Sequence, residues 1–598
     1  MKRWYKNLSE YIQVLERSGE LEIIEKPVSW HLEISKYTDA ESKSKAGGKA
    51  LLFKNVEGSP FPAATNLFGS PRRICMALGV DQLDSLGDRI RQLIDMSPPE
   101  SIRDVLGLLP KAFSVTRFFP RRKRTKHAPC QEVVHTGDSV DLTRLPVLHC
   151  WPKDAGRFIT LPLVVTRSLQ SGRRNVGMYR LQVFDRNTTG MHWHIHKDGS
   201  HFYNEYCRAG RRMPVSVAIG ADPATIYAAT APLPRNVDEM ILAGFIRQQP
   251  VAMTRCVTND LEVPAEAEFI LEGYVEPGEL RREGPFGDHT GYYSLADDYP
   301  VFHVTALTHR RAPIYCATLV GRPPMEDCYL AKATERMFLP LLQAAFPEII
   351  DYWLPWEGVF HNIVVVSIDK EFAGHAQKVM HGLWGQGQMS FCKAILVVDR
   401  DIDLKNPQAI LQRLLDKFDC TTDITLTRGV LDVLDHSSAT PNFGSKIGID
   451  LTARFPGEPQ RQSSAGPHPD TLSQDRFILS EVQKRFDSVN KIRAISGRRN
   501  PRNGIVCLNF KRDASAATGM DMAEALLDTP VLEPFTILVI YDSGVDLTDN
   551  SLLLWKIFNN VDPGRDLHIR KQRLVIDACK KGPADGHTRE WPDELSFD

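Results

Sequence analysis

Two carboxylic acids, Glu283 and Asp288, stand five residues apart in the stretch EGPFGDHTGYY, flanking a Gly-Pro-Phe-Gly turn. Such a turn either carries two ordinary solvated loop acids or brings them close to each other or to an arginine. In the second case their proton affinities are driven apart, so that one stays ionised while the other donates a proton. Upstream, VGMYRLQVF (176–184) and MHWHIHKDG (191–199) read as successive strands joined by the turn DRNTTG. Alternation then places Met178, Arg180 and Gln182 on one face of the first strand. On the second, His192, His194 and His196 share one face, and Met191, Trp193 and Ile195 the other. Three imidazoles opposite an arginine and a glutamine either meet solvent or line a polar cavity.

Two further oxygen donors have local explanations. Asn175 ends the turn-like QSGRRN, where asparagine is favoured for its local hydrogen bonds. Glu239 follows Asn236 by three residues just before MILAGFI, the pattern of a capping box. A hard divalent cation takes oxygen donors of this kind with an imidazole, but spacing alone does not bring them together. The glycine-rich AGGKA and WGQGQ match neither a P-loop nor GxGxxG, and there is no GxSxG elbow or HExxH pair.

The elements that must position these groups fall into three regions. Asn7 and Glu10 open a helix with an apolar stripe of Leu8, Tyr11, Ile12 and Leu15, and Gly19 stops it before the strand LEII. Mixed α/β pattern continues to the boundary FFPRRKRTKHAP, whose basic run Arg121 to His127 reads as a solvated loop. From about 130 to 320 short strands dominate, which suggests a barrel or sandwich. Past 330, strands such as NIVVVSI and FTILVIY alternate with helical stretches such as NPQAILQRLLDKF, an α/β layer pattern, with an exposed polar loop near 456–475. The expected architecture is therefore multi-domain α+β, with domains at 1–125, 126–325 and 326–598.

With 598 residues, 42% hydrophobic and 25% charged at net charge −1, the composition is that of a soluble globular protein. It gives no support to bulk attraction for nucleic acid or anionic membrane. Eleven scattered cysteines without a CxxC pair point to reduced thiols. No apolar run approaches a membrane span and the N-terminus has no apolar h-region, so a cytoplasmic location is expected.

NVGMYRLQ, MHWHIHKDG, PVSVAIGADPATI, LEGYVEPGELRREGPFGDHTGYY, FPEIIDYWLPWEG and GSKIGID together closely resemble the UbiD family of decarboxylases, which use prenylated FMN. The resemblance runs from the N-terminal helix to at least residue 450. It implies an N-terminal α/β segment, a central split β-barrel related to flavin reductases, and a C-terminal α/β domain used for homo-oligomer assembly as a dimer or hexamer. It implies reversible non-oxidative decarboxylation of an aromatic or α,β-unsaturated acid, with the modified flavin bonding covalently to substrate as an electron sink. The family's Glu-Arg-Glu/Asp triad falls on Glu283, Arg180 and Asp288, with Asp288 as the proton donor. The divalent metal, usually manganese, would be held by Asn175, His196 and Glu239, with potassium common nearby. Cofactor contacts fall on Met178, Tyr179 and Arg180, on His192, Trp193, His194, Lys197 and Asp198, and on Lys446 as a candidate for the phosphate.

The resemblance makes a flavin prenyltransferase the supplier of the cofactor, and a prenylated substrate would bring peripheral membrane contact. Quinone biosynthesis is the expected setting, with catabolism of a small phenolic or heteroaromatic acid as the alternative. A non-catalytic flavin-binding scaffold would not need Arg180, Glu283 and Asp288 together. The tail LVIDACKKGPADGHTREWP also resembles the end of the family pattern, beside IGIDLTARFPGE, and the segment between them reads as an insertion.

Overall fold

The computed structural model describes residues 4–94, 116–123, 128–194, 197–234, 237–461, 474–495, 504–512 and 518–598. Two compact units emerge, one of residues up to Phe338 together with Asp593–Asp598, the other of Leu339–Pro592.

The first unit opens as the sequence suggests. Asn7 caps the helix Leu8–Arg17 by accepting from the Glu10 N–H, and Leu8, Tyr11, Ile12 and Leu15 are its buried face. The strand Leu21–Ile24 joins Ala50–Phe53, Ala63–Thr65 and Tyr315–Cys316 in a four-stranded sheet, so the N-terminal segment closes on a strand from far downstream. Arg121–Arg122, in the basic run, pair parallel with Ala252 and Met253, and both are exposed.

Nine antiparallel strands form the main sheet of this unit. Its path runs Arg157–Ile159, Leu181–Val183, Thr188–Gly190, Asp297–His309, Phe269–Glu283, Met213–Ile219, Pro162–Arg167, Arg174–Gly177, with Val133–Thr136 also paired to Asp297–His309. The expected single strand over 176–184 is two strands near opposite ends of this path. Laid flat, six strand spacings would separate them by about 29 Å. Four peptide steps, from Gly177 to Leu181, reach about 15 Å at most. The sheet must therefore curl, and Met178, Tyr179 and Arg180 cross its gap as a half-barrel. The expected strand over 191–199 is corrected too. The strand ends at Gly190, residues 191–194 are irregular, and a helix, Asp198–Ala209, starts where the strand was expected to end.

The second unit holds two five-stranded sheets of the same order and direction. In the first, Ile349–Trp353, Ile363–Ile368, Ala394–Asp399, Phe443–Asp450 and Ile424–Val430 pair antiparallel, parallel, parallel and antiparallel. In the second, Val489–Ile495, Gly504–Phe510, Phe535–Asp542, Arg573–Asp577 and Leu567–Arg570 repeat that pattern. The helices Pro407–Lys417 and Asn550–Asn560 are capped by Asn406 and Asp549, 143 residues apart. What the sequence presents as an insertion is therefore a second copy of the first sheet's fold. The two share one apolar core built from matching positions, such as Leu404 with Leu547, Ile410 with Leu553, and Phe418 with Val561. The polar loop near 456–475 lies largely outside the described residues.

All eleven cysteines are free, nine of them buried. Among the described residues no helix is long and apolar enough to cross a membrane.

Candidate active site

Arg180 leaves the curled sheet's gap with its guanidinium between the two acids of the opening turn. Nε donates to Glu283 Oε1 at 3.0 Å and Nη1 to Asp288 Oδ2 at 2.5 Å. The Phe286 ring lies 4.6 Å from the guanidinium carbon, so the cation rests on an aromatic face between its two anions. The Glu283 side chain is fully buried, and those of Arg180 and Asp288 are 8% and 12% exposed.

The turn itself is fixed from several sides. Gly284 adopts φ +86° before a cis bond to Pro285, a left-handed conformation that glycine takes at low cost. Gln182 accepts from the Gly284 N–H and donates to the Ala155 carbonyl. Asp154 accepts from the N–H groups of Gly287, Cys150 and Trp151, and burial pushes its carboxyl up to about 7. The Asp288 N–H donates to the Tyr292 carbonyl, and the Gly291 N–H to that of Asp288.

Electrostatics keep both acids ionised. Burial opposes the charge on Glu283, but Arg180 and His192 outweigh it and hold the carboxyl at about 2. Burial is likewise overcome at Asp288, where the His289 side chain and Arg180 hold the carboxyl far below the ordinary range. His289 Nδ1 lies 2.9 Å from Asp288 Oδ1. His192 is kept neutral by burial and by Arg180. Its Nδ1–H must donate to Glu283 Oε2 at 2.6 Å, since a carboxylate only accepts. His192 Nε2 is then an acceptor, so His194 Nε2–H donates to it at 2.7 Å. Two of the three expected histidines thus meet, in irregular backbone rather than along a strand face, while His196 lies outside the described residues.

The expected metal ligands Asn175 and Glu239 also converge. Asn175 is buried within the strand Arg174–Gly177 rather than in a turn, paired with Thr166. Glu239 begins the helix Glu239–Arg247, whose cap is Asp238 and not the expected Asn236, a residue outside the described set. An Arg174–Asp238 ion pair at 2.5 Å pins strand to helix, and the Val176 N–H donates to Glu239 Oε2 at 2.9 Å. Burial, with the charges of Asp238 and Asp198 adding to it, pushes Glu239 up to about 7. The Asn175 amide nitrogen is buried without a hydrogen-bond partner. A buried acid with raised proton affinity beside an unsatisfied amide fits a cation site. Among the described residues, which leave out His196, no three His, Cys, Asp or Glu side chains form such a group.

The remaining expected cofactor contacts fall on both units, all but Lys446 on the first. Tyr179 lies against Gly177, where an added Cβ would meet its ring at 2.4 Å. Burial pushes the Tyr179 pKa up to about 12, with the nearby Asn175 side chain acting against that rise. Trp193 packs against Gly199 and Tyr203, with its buried indole N–H unpartnered, a donor that fits a polar cofactor. The Met178 N–H donates to the Ala229 carbonyl, and Lys197 immediately precedes the helix begun by Asp198 without a side-chain cap bond. Lys446 belongs to the second unit, where its ammonium donates to the carbonyls of Ser390 and Cys392 and burial pulls its pKa down to about 8.

Sequence reasoning did not reach four residues here. Tyr299 stacks on His192 at 4.1 Å, and Phe286 and Asp154 act as described. Asp327, at the start of the helix Glu326–Ala345, has both carboxylate oxygens buried without a hydrogen-bond partner. Burial pushes it up to about 7, and the charges of His289 and Asp288 act on it. No local pattern marks any of the four, because each matters through a neighbour distant in sequence.

Three family models match the chain in order: the N-terminal domain of 3-octaprenyl-4-hydroxybenzoate carboxy-lyase (UbiD) at residues 12–93, its Rift-related domain at 121–323, and its C-terminal domain at 328–451 and 477–585. The two C-terminal segments coincide with the two sheet copies. An uncharacterized protein of Archaeoglobus fulgidus is 46% identical over 492 residues, 82% of this chain and 99% of its own length. The vanillic acid decarboxylase of Sedimentibacter hydroxybenzoicus in its closed form superposes with TM-score 0.67 at 26% identity, over 80% of this chain and 99% of its own. An evolved dimeric form of the UbiD-class enzyme HmfF from Pelotomaculum thermopropionicum, in complex with prFMN, gives 0.63 at 28% identity, over 77% and 97%.

Proposed function

This chain belongs to the UbiD family of carboxy-lyases, and we propose that it reversibly decarboxylates a hydroxyaryl or naphthoic acid using prenylated FMN. The observation that carries this reading is the buried guanidinium of Arg180 shared between Glu283 and Asp288. When bound, prenylated FMN supplies the electron sink for the pair left behind as CO2 departs. Asn175, Glu239 and His196 would hold a divalent metal, manganese foremost, with potassium nearby. Met178, Tyr179, Trp193, His194, Lys197 and Asp198 would line the cofactor, with Lys446 a candidate for its phosphate.

Chemistry at the triad follows from its charges. With Arg180 on both acids, Asp288 is ionised and has no proton to give. A substrate carboxylate entering the site competes for the Arg180 fork, whose planar donors suit it. Release from Arg180 removes one of the two side chains that hold Asp288 ionised, so burial, opposed by His289 alone, raises its proton affinity. Asp288 then takes up a proton and delivers it to the carbon that lost CO2. Glu283, held by His192 as well, keeps Arg180 in place throughout.

Quinone biosynthesis remains the proposed setting, in line with the description of the matching family. Likeness to a vanillic acid decarboxylase supports the second reading, a small phenolic acid as substrate. The curled sheet is read as a split barrel of the flavin-reductase kind, the second unit as the surface for homo-oligomer assembly, and the cytoplasm as the location, with a flavin prenyltransferase as cofactor supplier.

Co-expression with a flavin prenyltransferase tests the reading directly. The purified protein should carry prenylated FMN by absorption and mass, and its absence under those conditions would overturn the mechanism. Asp288→Asn should slow CO2 release by about 10²–10⁴-fold, the scale of a lost general acid, with cofactor still bound. Unchanged turnover would remove Asp288 from the role.

A further inference from the structure

After the second unit the chain returns to the first at Asp593 and lies along the acid-bearing turn. The Tyr293 N–H donates to the Asp593 carbonyl and the Leu595 N–H to that of Gly291, each at 2.9 Å, and Tyr292 and Glu594 form an antiparallel bridge. The same segment, Gly291 to Tyr293, is bonded on its other side to the backbone of Asp288. Phe597 stacks on the buried Trp151, centroids 4.4 Å apart and planes at 25°. A Cβ added at Gly287 would sit 2.2 Å from Trp151 and 2.9 Å from Leu595, so indole and leucine close over the glycine next to Asp288. The Lys153–Asp593 ion pair at 2.6 Å is exposed and adds little.

We propose that Asp593–Asp598 is a strap that positions Asp288 for its contact with Arg180. Aspartate has a short side chain, and its oxygen already lies 2.5 Å from the guanidinium, so little side-chain reach is left to absorb a backbone shift. A displacement of about 1 Å at a reacting group is enough to cost catalysis heavily. The strap holds the turn by main-chain pairing and an aromatic stack on the side away from its own closing bonds. It acts through Asp288 and is a positioning element, and its role in turnover rests on the decarboxylase reading above.

Hydrogen exchange on the full chain and on a chain ending at Pro592 tests the strap without that reading. Amides of 284–294 should exchange about tenfold faster or more in the shortened chain, while the core strand Met213–Ile219 keeps its protection. The synthetic peptide DELSFD should restore protection of 284–294. Unchanged exchange in that segment overturns the proposal. If the shortened chain loses protection throughout, Leu595→Ala with Phe597→Ala in the full chain gives the same local comparison. In the cofactor-loaded enzyme with vanillate as probe, removal of 593–598 should lower kcat about tenfold and leave KM within about twofold. It should cost nothing further in an Asp288→Asn background, and a full additive loss there would refute action through Asp288. The exchange result decides the strap whether or not vanillate is turned over, so failure of the decarboxylase reading has its own signature.

Discussion

Replacing Arg180 by methionine keeps much of the side chain's volume and removes the one cation between two buried anions. Glu283 ionises at about 2 rather than the ordinary 4.5. At 1.36 kcal/mol per tenfold change in proton affinity, that difference is worth about 3 kcal/mol. Its side chain is fully buried, so solvent does not screen the interaction. A carboxyl with a depressed pKa contributes stability above its unfolded value and loses it as pH falls through the folded one. In the native protein both acids are ionised, folded or unfolded, from pH 5 to 8, and their contribution there is constant.

In Arg180→Met both pKa values rise, because burial is then opposed only by His192 at Glu283 and by His289 at Asp288. For the pair of buried charges the burial cost outweighs these bonds and the sign reverses. Stability is then retained at low pH and lost as pH rises toward neutrality. The expected loss is about 3–5 kcal/mol at pH 8, the scale for stripping one partner from a buried pair, and at least about 1 kcal/mol less at pH 5. Urea unfolding followed by tryptophan fluorescence at the two pH values measures both. Combining Arg180→Met with Glu283→Gln and Asp288→Asn should recover much of the loss at pH 8. A loss equal at both pH values, or below about 1 kcal/mol, would refute the electrostatic argument.

Two further outcomes follow from the cofactor side of the site. Gly177→Ala drives a methyl into the Tyr179 side chain, with two ring carbons and the hydroxyl oxygen at 2.4–2.5 Å. It should cost about 1–3 kcal/mol of stability and weaken flavin binding, and unchanged fluorescence titration with FMN would show that Tyr179 moves freely. Glu239, ionising at about 7, must lose a proton to bind a cation. The rise in melting temperature caused by Mn2+ should therefore increase from pH 6 to 8, and Glu239→Gln should abolish that dependence.

Residue chemistry and local pattern were legible in the linear chain. The Gly-Pro turn between Glu283 and Asp288, the apolar stripe and cap of Leu8–Arg17 and the alternating pattern past residue 330 all depend on neighbours within a few positions. Ordered motifs added the resemblance to the family, and the family matches agree with that resemblance. Where strands begin and end was less visible. The stretch 176–184 has the composition of one strand, but the curl of a nine-stranded sheet interrupts it at Met178–Arg180, and no short-range pattern encodes that curl.

The same limit applies to Asn175 and Glu239, whose local explanations as turn and cap residues gave way to long-range pairing with Thr166 and Val176. The polar stretch after 450 hid a second copy of the five-stranded fold, because the copies keep positions of burial more than residue identity. Sequence by itself determined which groups could carry charge and protons. Tertiary structure alone decided that Arg180, over a hundred residues upstream, lies between two acids in a buried pocket. Burial makes that decision chemical: the same three side chains in water would keep ordinary proton affinities, and only out of water do their charges control one another.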